Sequence, residues 1–306
     1  MRIVVHGQQA FGKSVLEALL DRGEQVLAVY CAPEKPGQRP DPLKEAALAH
    51  HLPVYQPRSY RKQEVWEEFA TLHADLCVMA YVTLFVPEEM LHLPTRGTIQ
   101  YHPSLLPRHR GPSSINWPII WGESKTGLTI FWPDNGLDTG PILLQKEVEI
   151  LDTDTLGSLY FDKLYPMGVA ALLEAVDMVR HGTAPKIPQD EALATYEGWC
   201  KHEHVEINWH KPVQEVWNLI RGADPQPGAW TMYQGQVIQI YEAKKLTSST
   251  TGTPGEITAI GTESFTVAAQ GGQIEVGRVR PADGSKMRAT EFITHSGLHQ
   301  GARLHT

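Results

Sequence analysis

The first thirty residues alternate strand, helix and strand, and that order limits the fold more than any other feature of the chain. MRIVVHG reads as a strand over Arg2 to His6 that turns at Gly7, after which Phe11, Val15, Leu16 and Leu19 recur at helical spacing to about Arg22. Gln25 to Tyr30 is the next strand. This βαβ unit predicts an α/β protein with a parallel sheet.

The alternation continues. A Pro/Gly-rich loop, Ala32 to Pro42, is followed by a helix to His50, a short strand at Val54 to Gln56 and a helix from about Arg61 to Leu72. Leu76 to Ala80 is apolar throughout and reads as a central strand, and Leu84-Phe85-Val86-Pro87 connects it to a short helix near Glu88 to Leu91. Thr98 to Tyr101 then forms an apolar run that ends in His102 and breaks at Pro103. That pattern delivers a polar residue at the carboxyl end of a buried parallel strand, where open α/β sheets keep their chemistry. A helical segment from about Ser113 to Trp121 and a strand over Leu128 to Trp132 lead to a glycine-rich loop carrying Asp134 and Asp138. Two strands are therefore expected to present a histidine and a carboxylate at one rim.

Ile142 to Ile150 reads as a strand and Thr155 to His181 as one long amphipathic helix, broken by Pro185 and Pro188. The expected division is a first domain over 1–185, a linker over 186–203 and a second domain over 204–306. The second has one helix, Val213 to Arg221, and then short β-rich runs at 237–241, 255–260, 264–268 and 273–279 separated by glycine turns, which suggests a small barrel. The tail from His295 is expected to be loose.

With 306 residues, 42% of them hydrophobic, the chain can bury the cores of two domains. No apolar run approaches the roughly 18 residues of a membrane helix, so neither signal peptide nor span is expected and a cytoplasmic location follows. The three cysteines, Cys31, Cys77 and Cys200, are too few for a disulfide framework and too widely spaced for a zinc knuckle, and read as reduced thiols. A net charge of -8 argues against a broad nucleic-acid-binding face, and from Lys201 onward basic and acidic side chains balance at ten each.

Gly7 and Gly12 in GQQAFG lack the third glycine of a dinucleotide fingerprint, and the second strand ends in Tyr30-Cys31-Ala32 with no acidic residue, so the pair reads as a tight strand-to-helix turn. The histidines at 50–51 and 202–204 lack a third ligand at useful spacing, and no metal is expected. The chemical candidates are His102, Asp138 and Gln100. Strand alternation puts residues 100 and 102 on one face, so an amide and an imidazole can converge on one small ligand atom.

HPSLLPRHRG at 102–111 followed by GLDTG at 136–140 resembles the signature of the 10-formyltetrahydrofolate-dependent formyltransferase family. MRIVVHGQQAFG at the start, ATYEG at 194–198 and RGADPQPGAW at 221–230 extend the likeness over nearly the whole chain. Within the family the sequence is most similar to the hydrolase-domain branch of 10-formyltetrahydrofolate dehydrogenase, in YHPSLLPRHRG, SSINW and GLDTG with LLQKE after it. Methionyl-tRNA and sugar-amine formyltransferases are more distant in likeness.

The resemblance implies a Rossmann-like formyl-transfer domain joined to a smaller carboxyl-terminal, OB-like β-barrel. It implies a catalytic Asn, His and Asp, of which His102 and Asp138 match two while Gln100 stands at the Asn position, a departure shared with the dehydrogenase-type hydrolase domains. It further implies that the pterin of 10-formyltetrahydrofolate lies between Leu84, Phe85, Val86 and the Asp134 to Gly140 loop. The expected reaction is hydrolysis to tetrahydrofolate and formate. The alternative is transfer to an amine: a small molecule, an amino sugar or, less favoured because the 32–42 loop carries only Lys35 and Arg39, methionyl-tRNA. A non-catalytic folate-binding module is a third reading, against which the presence of both His102 and Asp138 weighs. The aldehyde-dehydrogenase portion of the larger relatives has no counterpart here, so NADP-dependent oxidation is not expected.

Overall fold

Every residue of β1 (Arg2–Gly7) after Arg2 is buried, as a strand covered on both faces must be. It lies inside a seven-stranded sheet, next to the central β4, with β2 (Gln25–Tyr30), β3 (Val54–Tyr55), β4 (Leu76–Ala80), β5 (Thr98–His102), β6 (Lys125–Phe131) and β7 (Ile142–Glu149), in the order β3-β2-β1-β4-β5-β6-β7. The computed structural model describes residues 1–247 and 252–305. The first five strands pair in parallel, and β6 runs antiparallel to β5 with Gln100 opposite Phe131 and His102 opposite Thr129.

Alternation along these strands sorts their side chains. Ile3, Val5, Val78, Ile99 and Tyr101 face α1 (Gln9–Asp21), α2 (Pro42–Ala49) and α7 (Tyr165–His181) in one core cluster. Val4, Tyr30, Cys77 and Met79 face α3 (Gln63–Ala70) and α4 (Glu88–Leu91) in another. Thr98 belongs to the second face, where its hydroxyl donates to the Leu91 carbonyl at 2.7 Å and pins α4. Gln100 and His102 share that face. At the end of β1 only glycine fits: a Cβ on Gly7 would lie 2.2 Å from the Ala80 carbonyl oxygen.

The run expected as one helix over 155–181 has a widened turn. α6 (Leu156–Ser158) starts on a capping box between Thr155 and Ser158, Leu159–Leu164 is π-helical, and α7 follows with Pro166 as its second residue. Pro166 has no N–H to give to a preceding carbonyl, and the wider turn accommodates that loss.

By contact the chain forms two compact units, Met1–Gly111 with Gly127–Val148 and Asp162–Tyr196, and Pro112–Thr126 with Glu149–Phe161 and Glu197–Thr306. Two segments inside 1–185 thus group with the carboxyl-terminal unit, α5 (Asn116–Ile120) among them, and residues 186–196 group with the first. The second unit contains α8 (Val213–Gly222) and a six-stranded antiparallel sheet. Its path is β10 (Ile257–Ile260), β11 (Phe265–Ala269), β12 (Gly272–Pro281), β9 (Gln236–Leu246) and β8 (Trp230–Tyr233), with β13 (Met287–Arg288) on β12. Trp209, Trp217, Ile240, Phe265 and Val276 lie in its core.

From His295 to His305 the tail is ordered, contrary to the sequence-based expectation, and Thr306 lies outside the described residues. α9 (Ala289–Ser296) ends on Gly297 at φ 68, and the residues beyond bond on two sides. His305 exchanges backbone hydrogen bonds with Met232 of β8 at 2.9 Å each way, while Leu304 donates to Gly255 and Ala302 accepts from Ile257, both at 2.8 Å. Leu304 is buried in the core of the unit. Leu298 and Leu304, six residues apart among glycines and polar residues, gave the tail no periodic signal.

All three cysteines are free thiols, Cys31 and Cys77 buried and Cys200 half-buried. Burial pushes Cys31 and Cys77 up to about 12 and Cys200 up to about 11, so none is poised as a nucleophile. Among the described residues no helix is long and apolar enough to cross a membrane.

Candidate active site

β5 ends in His102, and the segment after it is held by side chains from the neighbouring strands. The Thr129 hydroxyl donates to the Ser104 carbonyl at 2.7 Å and accepts from the Leu106 N–H at 3.1 Å, and the Gln145 amide donates to the Leu106 carbonyl at 2.8 Å. Thr195, in the ATYEG stretch, accepts from the His109 N–H on its hydroxyl at 2.8 Å and from the Arg110 N–H on its carbonyl at 3.0 Å. The loop thus fixes the His109 carbonyl 2.8 Å from His102 Nε2. A carbonyl only accepts, so Nε2 carries a proton and Nδ1 is the nitrogen left to work.

Nδ1 faces Asp138. Its distance to Asp138 Oδ2 is 3.6 Å, too long for a direct hydrogen bond and close enough for charge coupling, and His102 and Asp138 are 6% and 7% exposed. The same carboxylate oxygen accepts the Gly111 backbone N–H at 2.9 Å. Asp138 reaches this place by a route that strand order alone did not indicate. Because β6 is antiparallel to β5, its carboxyl end lies beside the start of β5, and the loop must double back along the sheet face to bring Asp138 to His102. The expectation that both strands end at one rim is therefore corrected, while the meeting of the two side chains stands.

The loop is braced internally and externally. Asp134 Oδ1 accepts from the Gly136 N–H at 3.0 Å and the Thr139 hydroxyl at 2.6 Å, and Asn135 exchanges hydrogen bonds with the Glu88 backbone and side chain at the start of α4. A Cβ on Gly140 would lie 1.8 Å from the Trp132 carbonyl oxygen, so only glycine permits the crossing there. Asp138 itself holds φ 57, a left-handed conformation that a non-glycine residue keeps only when its surroundings impose it.

Gln100 is half-buried on the same face as His102, and among the described residues its amide has no hydrogen-bond partner. Of the three apolar residues expected to meet a pterin, Phe85 is 48% exposed beneath the Arg61 guanidinium, Leu84 is half-buried and Val86 is packed into the core below α4. Val86 can therefore offer a ligand little beyond its backbone. Leu137 and Tyr81, both large and exposed, lie next to Asp138 and at the end of β4, and the sequence reading passed over them. It also passed over the His109 carbonyl, the Gly111 N–H and Thr195, although all three lie in stretches that carry the family likeness.

Arg110 is buried and forked between Gln189 Oε1 and the Glu191 carboxylate. The bonds to Glu191 raise the Arg110 pKa and lower that of Glu191. Among the described residues no group of three His, Cys, Asp or Glu side chains is arranged to hold a metal ion.

Comparison with known proteins bears on this arrangement. Residues 1–176 match the model of the formyl transferase family, and residues 200–297 match that of the formyl transferase carboxyl-terminal domain. The mitochondrial 10-formyltetrahydrofolate dehydrogenase of Mus musculus is 44% identical over 254 residues, which cover 81% of this chain and 27% of that protein. The chain thus spans about a quarter of the length of that relative. The methionyl-tRNA formyltransferase of Alkaliphilus oremlandii is 34% identical over 306 residues, 98% of both chains. Among solved structures, HypX from Aquifex aeolicus in complex with tetrahydrofolic acid superposes with a TM-score of 0.72 at 19% identity, over 96% of this chain and 47% of that one. The N-formyltransferase from Helicobacter canadensis, in complex with folinic acid and dTDP-3-aminofucose, gives 0.68 at 19% identity over 90% and 98%. At these identities the two structures speak for the fold.

Proposed function

Because the chain belongs to the formyl transferase family, whose formyl donor is 10-formyltetrahydrofolate, we propose that it hydrolyses 10-formyltetrahydrofolate to tetrahydrofolate and formate. The observation that carries the reading is the approach of His102 Nδ1 to Asp138 Oδ2 on the face that also bears Gln100. The formyl carbon on N10 is amide-like. Water attacks it, the new C–O bond pushes the carbonyl π pair onto oxygen, and the tetrahedral intermediate expels N10 once that nitrogen is protonated.

Asp138 takes the proton of the attacking water. Its Oδ2 is tied to Gly111, which leaves Oδ1 to receive it. His102 reacts as the doubly protonated imidazolium beside the Asp138 carboxylate: Nε2–H stays on the His109 carbonyl, while Nδ1–H donates to the formyl oxygen and then passes its proton to N10, to be replaced by the one Asp138 took from water. Gln100 is a second donor to the oxyanion. Its additional methylene relative to Asn favours a slow, water-using site over one that aligns an amine. The pterin lies against the exposed faces of Phe85 and Leu137 with Leu84 behind, and Val86 contributes backbone only. A cytoplasmic location and an OB-like barrel for the second unit accompany this reading, the latter supported by the tail bonds to β8 and to the stretch entering β10.

Transfer to an amine is the second reading, favoured by the full-length match to a methionyl-tRNA formyltransferase. A small amine or amino sugar fits this chain better than tRNA, since the 32–42 loop carries only Lys35 and Arg39 as basic residues. Incubation with 10-formyltetrahydrofolate alone separates the two. Release of formate and tetrahydrofolate without added amine is expected, and turnover only on addition of an amine would overturn hydrolysis in favour of transfer.

A further inference from the structure

We infer that Gln189, in the segment between the two family-matched regions, is a positioning residue that fixes Asp138 for the reaction. Its Nε2 donates to the backbone carbonyls of both Asp138, at 2.9 Å, and Gly140, at 2.8 Å. One side chain thereby grips the loop on either side of Thr139. Its Oε1 in turn accepts from Arg110 Nε at 3.2 Å and Nη2 at 2.8 Å.

These contacts close a ring. Gly111 N–H holds the Asp138 carboxylate, the Asp138 carbonyl holds Gln189, Gln189 holds the Arg110 guanidinium, and Arg110 is bonded through its own peptide to Gly111. The ring controls the side chain and the main chain of Asp138 together. That control matters because Asp138 sits at φ 57, from which an unrestrained aspartate would relax, carrying its carboxylate away from His102. Glu191 also binds Arg110, but its side chain is 69% exposed and a carboxylate has no N–H to give to the Asp138 and Gly140 carbonyls, so it cannot substitute for the amide.

The inference rests on His102 and Asp138 being the reacting pair, and the experiment separates the two ideas. Gln189→Glu keeps an acceptor for Arg110 and turns an oxygen toward two carbonyls; Gln189→Met keeps the length and offers neither contact. Both variants, assayed for deformylation of 10-formyltetrahydrofolate, are expected to lose about 10- to 100-fold in kcat, with KM within about threefold of the wild type. Their melting temperatures are expected to stay within about 3 °C. A kcat within about twofold of wild type in Gln189→Met, or a loss matched by a rising KM or a collapse in melting temperature, would show a residue that only staples its segment to the sheet and would overturn the inference. His102→Ala is run beside them. If it is inactive while the Gln189 variants are normal, the clamp alone fails; if it remains active, the reading of the site fails first.

Discussion

Gly111 donates its backbone N–H to Asp138 Oδ2 at 2.9 Å, on the same oxygen that faces His102 Nδ1. One carboxylate oxygen is thus fixed by the main chain and aimed at the imidazole, which divides the work of the two oxygens before any substrate arrives.

Replacing either partner should remove chemistry and spare binding. Asp138→Asn keeps an acceptor for Gly111 and loses the base, and His102→Ala removes the donor to the formyl oxygen. Each is expected to lower kcat by about 10²- to 10⁴-fold while folate affinity, measured by fluorescence titration, changes by less than about threefold. Near-normal deformylation in either variant would refute the assignment.

Gly140→Ala tests how tightly the loop is built. The new methyl must displace the Trp132 carbonyl that it would otherwise meet at 1.8 Å. We expect a loss of about 1–3 kcal/mol in stability by denaturant unfolding and a drop of at least about tenfold in kcat. Unchanged values for both would mean the crossing is slack.

Acid sensitivity should trace in part to His6. This side chain is two strands from Gln100 in register through Met79, is 3% exposed, packs on Tyr60 with ring centroids 4.7 Å apart, and is lowered by burial from 6.5 to about 3. Between those values the unfolded chain binds a proton that the folded one refuses, so stability falls as pH drops below about 6.5, by about 1.4 kcal/mol per unit. His6→Phe keeps a ring against Tyr60 and removes the proton site. Its melting temperature should decline less than that of the wild type between pH 7 and pH 5, the two differing by about 2 kcal/mol at pH 5, and parallel curves would exclude His6 as the cause.

Leu304→Ala tests the ordered tail. Leu304 is 3% exposed in the core of the second unit, and its truncation should cost about 2–5 kcal/mol in guanidinium unfolding followed by tryptophan fluorescence. An exposed or frayed tail would give a value near zero.

Most of the first unit was legible because its strands are apolar runs with clear breaks, and β2, β4 and α4 follow the sequence pattern residue for residue. His102 and Gln100 were legible for the same reason: alternation on a buried strand fixes the face. Asp138 was legible as a residue and not as a path, since nothing in the GLDTG loop states that β6 runs against β5. Gln189 was invisible. It lies between Pro188 and Asp190 in a stretch whose composition signals a linker, and the two carbonyls that accept from its amide belong to residues about fifty positions away. The tail escaped detection because backbone pairing to two separate partners leaves no side-chain period to read.

Residues 301–305 occupy hydrogen-bonding groups of both outermost strands of the antiparallel sheet, at Met232 on one side and around Gly255 to Ile257 on the other. Bare strand borders of this kind recruit foreign strands and seed association between copies. Covering both borders, these five residues are predicted to keep copies of the chain from pairing edge to edge, so that variants releasing them gain turbidity on concentration before they lose catalysis.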